Sequence, residues 1–202
     1  MKRFICIICI AVLLLTGCQT KKALPKPNYP LNEEALNTAI EETGLSWSIT
    51  STDTYSEGDN SRTSYGFSRP ESSSNFQTAF ISSALYRQKR MLTMSVMINS
   101  DAASQQSWET WKDWIILATR LYGGFIDVEE LYNACSTQKL PLNEKTVYAG
   151  TLTGGYCQIR VDPPVENWWQ VMNRPNTVFI EIFESKEACQ EFYDSTEMKT
   201  ES

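Results

Sequence analysis

Near the middle of this chain the hydrophobic residues change their period from two to that of a helix, and that change dictates the class of fold open to it. Between residues 45 and 98 they recur at every second position: Leu45, Trp47 and Ile49, then Thr63, Tyr65 and Phe67, then Leu92, Met94, Val96 and Ile98. Alternation puts one face of a strand against a core and leaves the other facing outward. Between residues 101 and 122 they recur at helical spacing instead, as Trp108, Trp111, Ile115, Ala118 and Tyr122, with Trp114, Leu117 and Leu121 widening the stripe. A strand set with one apolar face and a helix with one apolar stripe are complementary halves of a core.

The punctuation between these runs gives an order of elements. Asn32 is a suitable N-cap, Glu33 and Glu34 suit the positive end of a helix, Leu31 can staple to Leu36, and Gly44 suits a C-terminal cap, so a helix is predicted over 33–43. A polar turn over 56–60, a Pro- and Ser-rich loop over 69–75 and a charged turn over 87–90 separate four strands, the third over 76–86. Gly123-Gly124 ends the long helix, and Asp127 with Glu130 caps another, on which Val128, Leu131, Tyr132 and Cys135 share a face and Ile126 can staple to Leu131. Strands over 147–153 and 156–161 flank Gly154-Gly155 as a tight turn. A strand over 177–183 and a short helix over 186–193 close the chain, and residues 195–202 look frayed. The expected architecture is α+β: a mainly antiparallel sheet, made of a meander plus a C-terminal hairpin and strand, with helices packed on one face. One domain is expected over 31–195, with a disordered tail over 196–202.

The N-terminus is of another kind. Lys2 and Arg3 precede an apolar run over 4–15 that ends in Leu15-Thr16-Gly17-Cys18. The run is too short to span a bilayer, which takes about 20 apolar residues, and it has the form of a secretory signal. Leu15-Thr16-Gly17-Cys18 resembles the lipobox of bacterial lipoproteins. That resemblance, which covers residues 1–18 only, implies cleavage of a signal peptide over 1–17 and acylation of Cys18. More than one acyl chain there would hold the protein on the outer side of a cell membrane, since each buried CH₂ contributes about 0.8 kcal/mol. Residues 19–30 carry three prolines and three lysines without hydrophobic periodicity. With Cys18 they form an expected tether over 18–30, reaching roughly 35 Å at about 3.1 Å per residue. Lys21, Lys22 and Lys26 could each gain about 1 kcal/mol on an anionic surface, or serve only to keep the tether soluble.

Loss of residues 1–17 removes Lys2 and Arg3 but no acidic residue, leaving 16 basic against 24 acidic residues, about −8. So acidic a domain is a poor partner for nucleic acid. The chain has no histidine, which excludes Ser-His-Asp and Cys-His nucleophile pairs and histidine-ligated zinc. Cys135, Cys157 and Cys189 stay in the domain; an odd, widely spaced set is not a disulfide framework and reads as buried thiols.

The candidate ligand-binding site is the loop holding Trp168 and Trp169, with Glu166 and Arg174 beside them, because adjacent bulky aromatics in an aperiodic loop suit a sugar, a peptide or a partner protein. Trp108, Trp111 and Trp114 read as core packing. Arg87, Lys89 and Arg90 form a basic spot that reads as a solvated hairpin turn. Asp53, Glu57 and Asp59 miss the calcium-loop pattern because Tyr55 stands where a ligand is needed. No metal, cofactor or catalytic residue is expected. The functional expectation is a lipid-anchored envelope protein with a non-catalytic domain that binds an unknown ligand or envelope protein. The alternatives are an envelope hydrolase working on carboxylates alone and a structural or inhibitory module.

Overall fold

A computed structural model describes residues 24–45, 47–68, 76–98, 105–137, 146–166, 170 and 176–200. Helix α1 (Glu33–Thr43) starts and stops where its caps require. The Asn32 side chain accepts a hydrogen bond from the Ala35 N–H at 2.9 Å, and Gly44, at φ 72°, turns the chain out while its N–H donates to the Glu41 carbonyl. Leu31 and Leu36, the predicted staple, are both buried.

Four strands follow: β1 (Ser48–Glu57), β2 (Asn60–Ser68), β3 (Phe76–Tyr86) and β4 (Lys89–Ile98). They pair antiparallel in succession, as the alternation predicts. β1 lies beyond the apolar alternation that announced it. Its ladder with β2 carries it through a polar run to Glu57, so the turn is only Gly58-Asp59; pairing outweighs side-chain pattern on this edge strand. Helices α2 (Gln105–Tyr122) and α3 (Val128–Thr137) then carry the chain over the sheet, α3 capped by Asp127, whose carboxylate accepts from the Glu129 and Glu130 N–H groups. Strands β5 (Thr146–Leu152), β6 (Gly155–Asp162) and β7 (Asn176–Phe183) precede α4 (Lys186–Thr200).

All seven strands form one antiparallel sheet in the order β1-β2-β3-β4-β7-β6-β5. The expected α+β class therefore holds, with β7 threaded between the meander and the C-terminal hairpin. Helices α1, α2 and α3 cover one face, where Phe67, Ile81, Met94, Ile180 and Ile159 meet Leu36, Ile115, Ala118 and Leu131. Trp114 is buried in this core, as read; the side chains of Trp108 and Trp111 lie outside the described ones.

Several expectations need correction. Not all the helices share a face: α4 packs on the other one, where Ala188 and Cys189 meet Met91, Tyr156 and Phe183. It also runs to Thr200, beyond the predicted Tyr193 and into the stretch expected to fray. The β5–β6 turn is Thr153-Gly154, since Leu152 pairs with Gly155. Gly154 has the positive φ of 94°, whereas Gly155 is a strand residue that must stay small: a Cβ there would come within 2.9 Å of the Phe183 carbonyl and 3.3 Å of Ile126 Cδ1.

Residues 24–30 are not a free tether but a strap laid on the domain. Leu24 and Gly124 exchange both backbone hydrogen bonds, at 2.9 and 3.0 Å. The Tyr29 hydroxyl donates to the Leu121 carbonyl at 3.0 Å, and its ring meets Tyr122 edge-on. Gly123 makes room for the strap, because a Cβ there would sit 2.4 Å from the Pro25 carbonyl oxygen. Arg90 pins the assembly from β4. Its guanidinium lies 5.1 Å from the Tyr29 ring and 4.5 Å from that of Tyr122, donates to the Tyr122 carbonyl at 2.8 Å and pairs with Glu184 at 3.4 Å. The basic spot is thus not a solvated turn throughout: the turn is Arg87-Gln88, and Arg90 is a nearly buried strand residue.

Candidate binding groove

The sheet face that carries α4 is only partly covered. Register across the strands gives three rows on it. Tyr55, Arg62, Ala84, Met91, Phe183 and Tyr156 form the first; Asp53, Ser64, Ser82, Thr93, Glu181 and Gln158 the second; Ser51, Gly66, Phe80, Ser95, Phe179 and Arg160 the third. Helix α4 lies over the Met91, Phe183 and Tyr156 end, and the meander stays open beside it.

Between the helix and the meander is a groove. Tyr55, Asn60, Arg62, Tyr86, Arg87 and Phe192 line its larger part, of about 650 Å³. A second hollow of about 300 Å³, over Ser82, Thr93 and Phe179, shares Arg62, Ala84 and Phe192 with the first, so the two adjoin. Guanidinium groups lie along aromatic rings at the mouth: Arg62 is 5.9 Å from the Tyr55 ring and Arg87 is 5.4 Å from the Tyr86 ring. The Tyr55 hydroxyl donates to Glu57, and Arg62 pairs with Asp53 at 3.2 Å. Both ends of the latter pair are exposed, so it holds Arg62 only weakly and an incoming anion can compete for it. Flat apolar surface edged with cationic donors suits a ligand that combines a planar or apolar part with an anionic or hydroxylated one.

The inner wall of the groove is closed by a polar clamp. Glu181 is 3% exposed and receives both Arg160 Nε and Nη2 at 2.9 Å; the Tyr193 hydroxyl donates to it from α4 at 2.5 Å. Burial, the Glu181 charge and the hydrogen bond to it all push the Tyr193 phenol far above its ordinary pKa, so it stays a neutral donor. Its charge faces that of Arg160 and its oxygens accept three hydrogen bonds, which makes the carboxylate of Glu181 a structural pin for α4. Lys89 adds a second tie, donating to both Glu191 carboxylate oxygens at 2.9 Å.

Comparison with protein-family models, curated proteins and solved structures finds no match to this chain. What the domain does must therefore be argued from the side chains themselves.

Of the residues singled out in the sequence, Trp168, Trp169, Arg174 and Cys18 lie outside the described residues. Glu166 is exposed at the start of the tryptophan loop. Its N–H donates to Gln170 Oε1 at 2.8 Å and its carboxylate accepts from Gln170 Nε2 at 3.1 Å, so the two described residues on either side of positions 167–169 are tied to each other. The groove was not anticipated, because its lining comes from β1, β2, β3 and α4, none of which announces it alone. Among the described residues no three His, Cys, Asp or Glu side chains converge to hold a metal.

Cys157 and Cys189 are buried thiols outside any disulfide, in the two separate clusters on opposite faces of the sheet. Cys189 donates to Gln158 Oε1 at 3.7 Å, and burial, with Glu181 adding to it, pushes its thiol up to about 11. At neutral pH it is protonated. A disulfide reagent such as Ellman's is therefore expected to modify Cys189 in the folded protein roughly a hundredfold more slowly than an exposed thiol, the difference vanishing in denaturant. A rate like that of free cysteine would show that α4 leaves the sheet readily.

Proposed function

We propose that this is a lipid-anchored protein of the bacterial cell envelope, facing outward from the membrane, whose single domain is a non-catalytic binding module. The observation that carries the binding half of the reading is the groove: about 650 Å³ beside a further 300 Å³, edged by Arg62, Arg87, Tyr55 and Tyr86 and floored by small hydroxyl and alanine side chains. That volume suits a sugar chain, a peptide or an extended side group of a partner. The envelope half rests on Leu15-Thr16-Gly17-Cys18 after the apolar run. The rival reading, hydrolysis by carboxylates alone, needs a carboxylate free to give or take a proton beside the substrate; the buried one on this face, Glu181, is occupied by Arg160 and Tyr193.

The test uses the full chain with Cys18→Ser, so that the protein is recovered without lipid, titrated with soluble glycan and peptide fragments of cell wall. Saturable binding is expected, weakened about tenfold by Arg62→Ser, the loss of roughly 1.4 kcal/mol that an interfacial arginine commonly accounts for. Release of new reducing ends or amines from the fragments would favour the hydrolase. Binding abolished by Trp169→Ala but untouched by Arg62→Ser would move the site to the tryptophan loop.

A further inference from the structure

The end of the sheet at which the strap is tied also carries the most exposed large apolar side chain among the described residues. Phe125 is 56% exposed between α2 and α3, while its neighbour Ile126 is buried as the staple of α3. Nothing in the core uses the Phe125 ring. Its backbone is held in place on two sides: Gly124 is bridged to Leu24, itself 36% exposed, and the Thr153-Gly154 turn packs so closely that a Cβ on Gly154 would lie 3.0 Å from Phe125 N. The two exposed apolar side chains, Leu24 and Phe125, thus flank the point at which the chain leaves the domain for Cys18.

Length makes that position consequential. Because the strap is docked from Leu24 onward, Leu24 is six residues from Cys18, which span no more than about 20 Å when fully extended. A ten-residue strand such as β4 is itself about 33 Å long. A lipid on Cys18 would therefore keep this end of the domain within less than one strand length of the bilayer. Lys21 and Lys22 lie in the six-residue span and Lys26 in the strap, where cationic side chains meet an anionic surface favourably.

We infer that Leu24 and Phe125 form a membrane-contact patch, with the Phe125 ring entering the headgroup layer of the bilayer that holds the anchor. Aromatic rings are enriched at this depth, and shallow insertion of a few apolar groups beside a lipid anchor adds a second attachment to the first. The inference rests on the proposed lipidation of Cys18.

The experiment places an environment-sensitive fluorophore on Phe125→Cys, and separately on Met97→Cys, exposed at the opposite end of the strands, in the full lipidated chain reconstituted into vesicles of phosphatidylethanolamine and phosphatidylglycerol. The parent chain, taken through the same labelling, gives the background from native cysteines. Mass analysis of the N-terminal peptide reports the state of Cys18. The expected result is an acylated Cys18, with emission from position 125 shifted to the blue and quenched by brominated lipid, and emission from position 97 unaffected. An acylated Cys18 with a water-exposed label at 125 overturns the contact and leaves the anchor standing. An unmodified Cys18 overturns the anchor, and the contact with it.

Discussion

Arg160→Met is expected to lower the unfolding free energy by about 3–5 kcal/mol, because it strands a carboxylate that is 3% exposed in the central strand β7. For a domain of this size each kcal/mol is worth roughly 2–4 °C, so a fall in melting temperature on the order of 10 °C is the readout. The pair is a neighbour pair across β6 and β7, joined by two hydrogen bonds of 2.9 Å, and Arg160 also stacks 4.9 Å from the Phe179 ring. Methionine keeps much of the arginine's apolar stem and so isolates the loss of charge. The companion variant, Arg160→Met with Glu181→Met, is expected to recover most of the loss, since it removes the stranded charge along with its partner. Equal melting of the single and double variants would mean that Glu181 is reached by water and that α4 does not seal this face.

The second large effect is expected at Arg90. Arg90→Met removes a charge-assisted hydrogen bond to the Tyr122 carbonyl, worth about 1.5–3 kcal/mol, together with the stacking of its guanidinium on Tyr29 and Tyr122. A loss of about 3 kcal/mol is expected, and its location distinguishes it from a general weakening of the core. Amide exchange should quicken first at Leu24 and Gly124, the two donors of the bridge that holds the strap, and only later in β4 and β7. Unchanged exchange at those two amides would show that the strap is held without Arg90.

How much of this could be read from residues alone follows from which interactions are local. Helix α1 was legible to its ends because Asn32 and Gly44 act within one turn of themselves. The meander was legible because alternation and turn residues are properties of adjacent positions, and β3 was bounded at Phe76 and Tyr86 as found. The side of the sheet taken by α4 was not, since an apolar stripe on a helix says that it packs but not on what. A signal was available in β7: Val178, Ile180 and Ile182 point one way while Phe179 and Phe183 point the other, which marks a strand buried on both faces. Glu181 interrupts the second set and reads in the sequence as a strand-end charge; its burial depends on Arg160 from β6 and Tyr193 from α4, neither of them local to it. The strap escaped notice because a backbone bridge between residues a hundred positions apart leaves no periodicity. The groove escaped notice because Tyr55, Arg62, Tyr86 and Phe192 belong to four different elements.

The strap also has a mechanical meaning. With Cys18 held in a bilayer, as proposed, any pull between the membrane and a bound partner enters the domain at Leu24. It meets the two hydrogen bonds of a single bridge and the contacts of Tyr29 before it meets the sheet. Peeling residues 24–30 away lengthens the connection by roughly 23 Å at about 3.3 Å per residue, and leaves the seven-stranded ladder intact. The seven residues that hold the domain close at rest are thus a reserve of slack, which yields under load before the fold does.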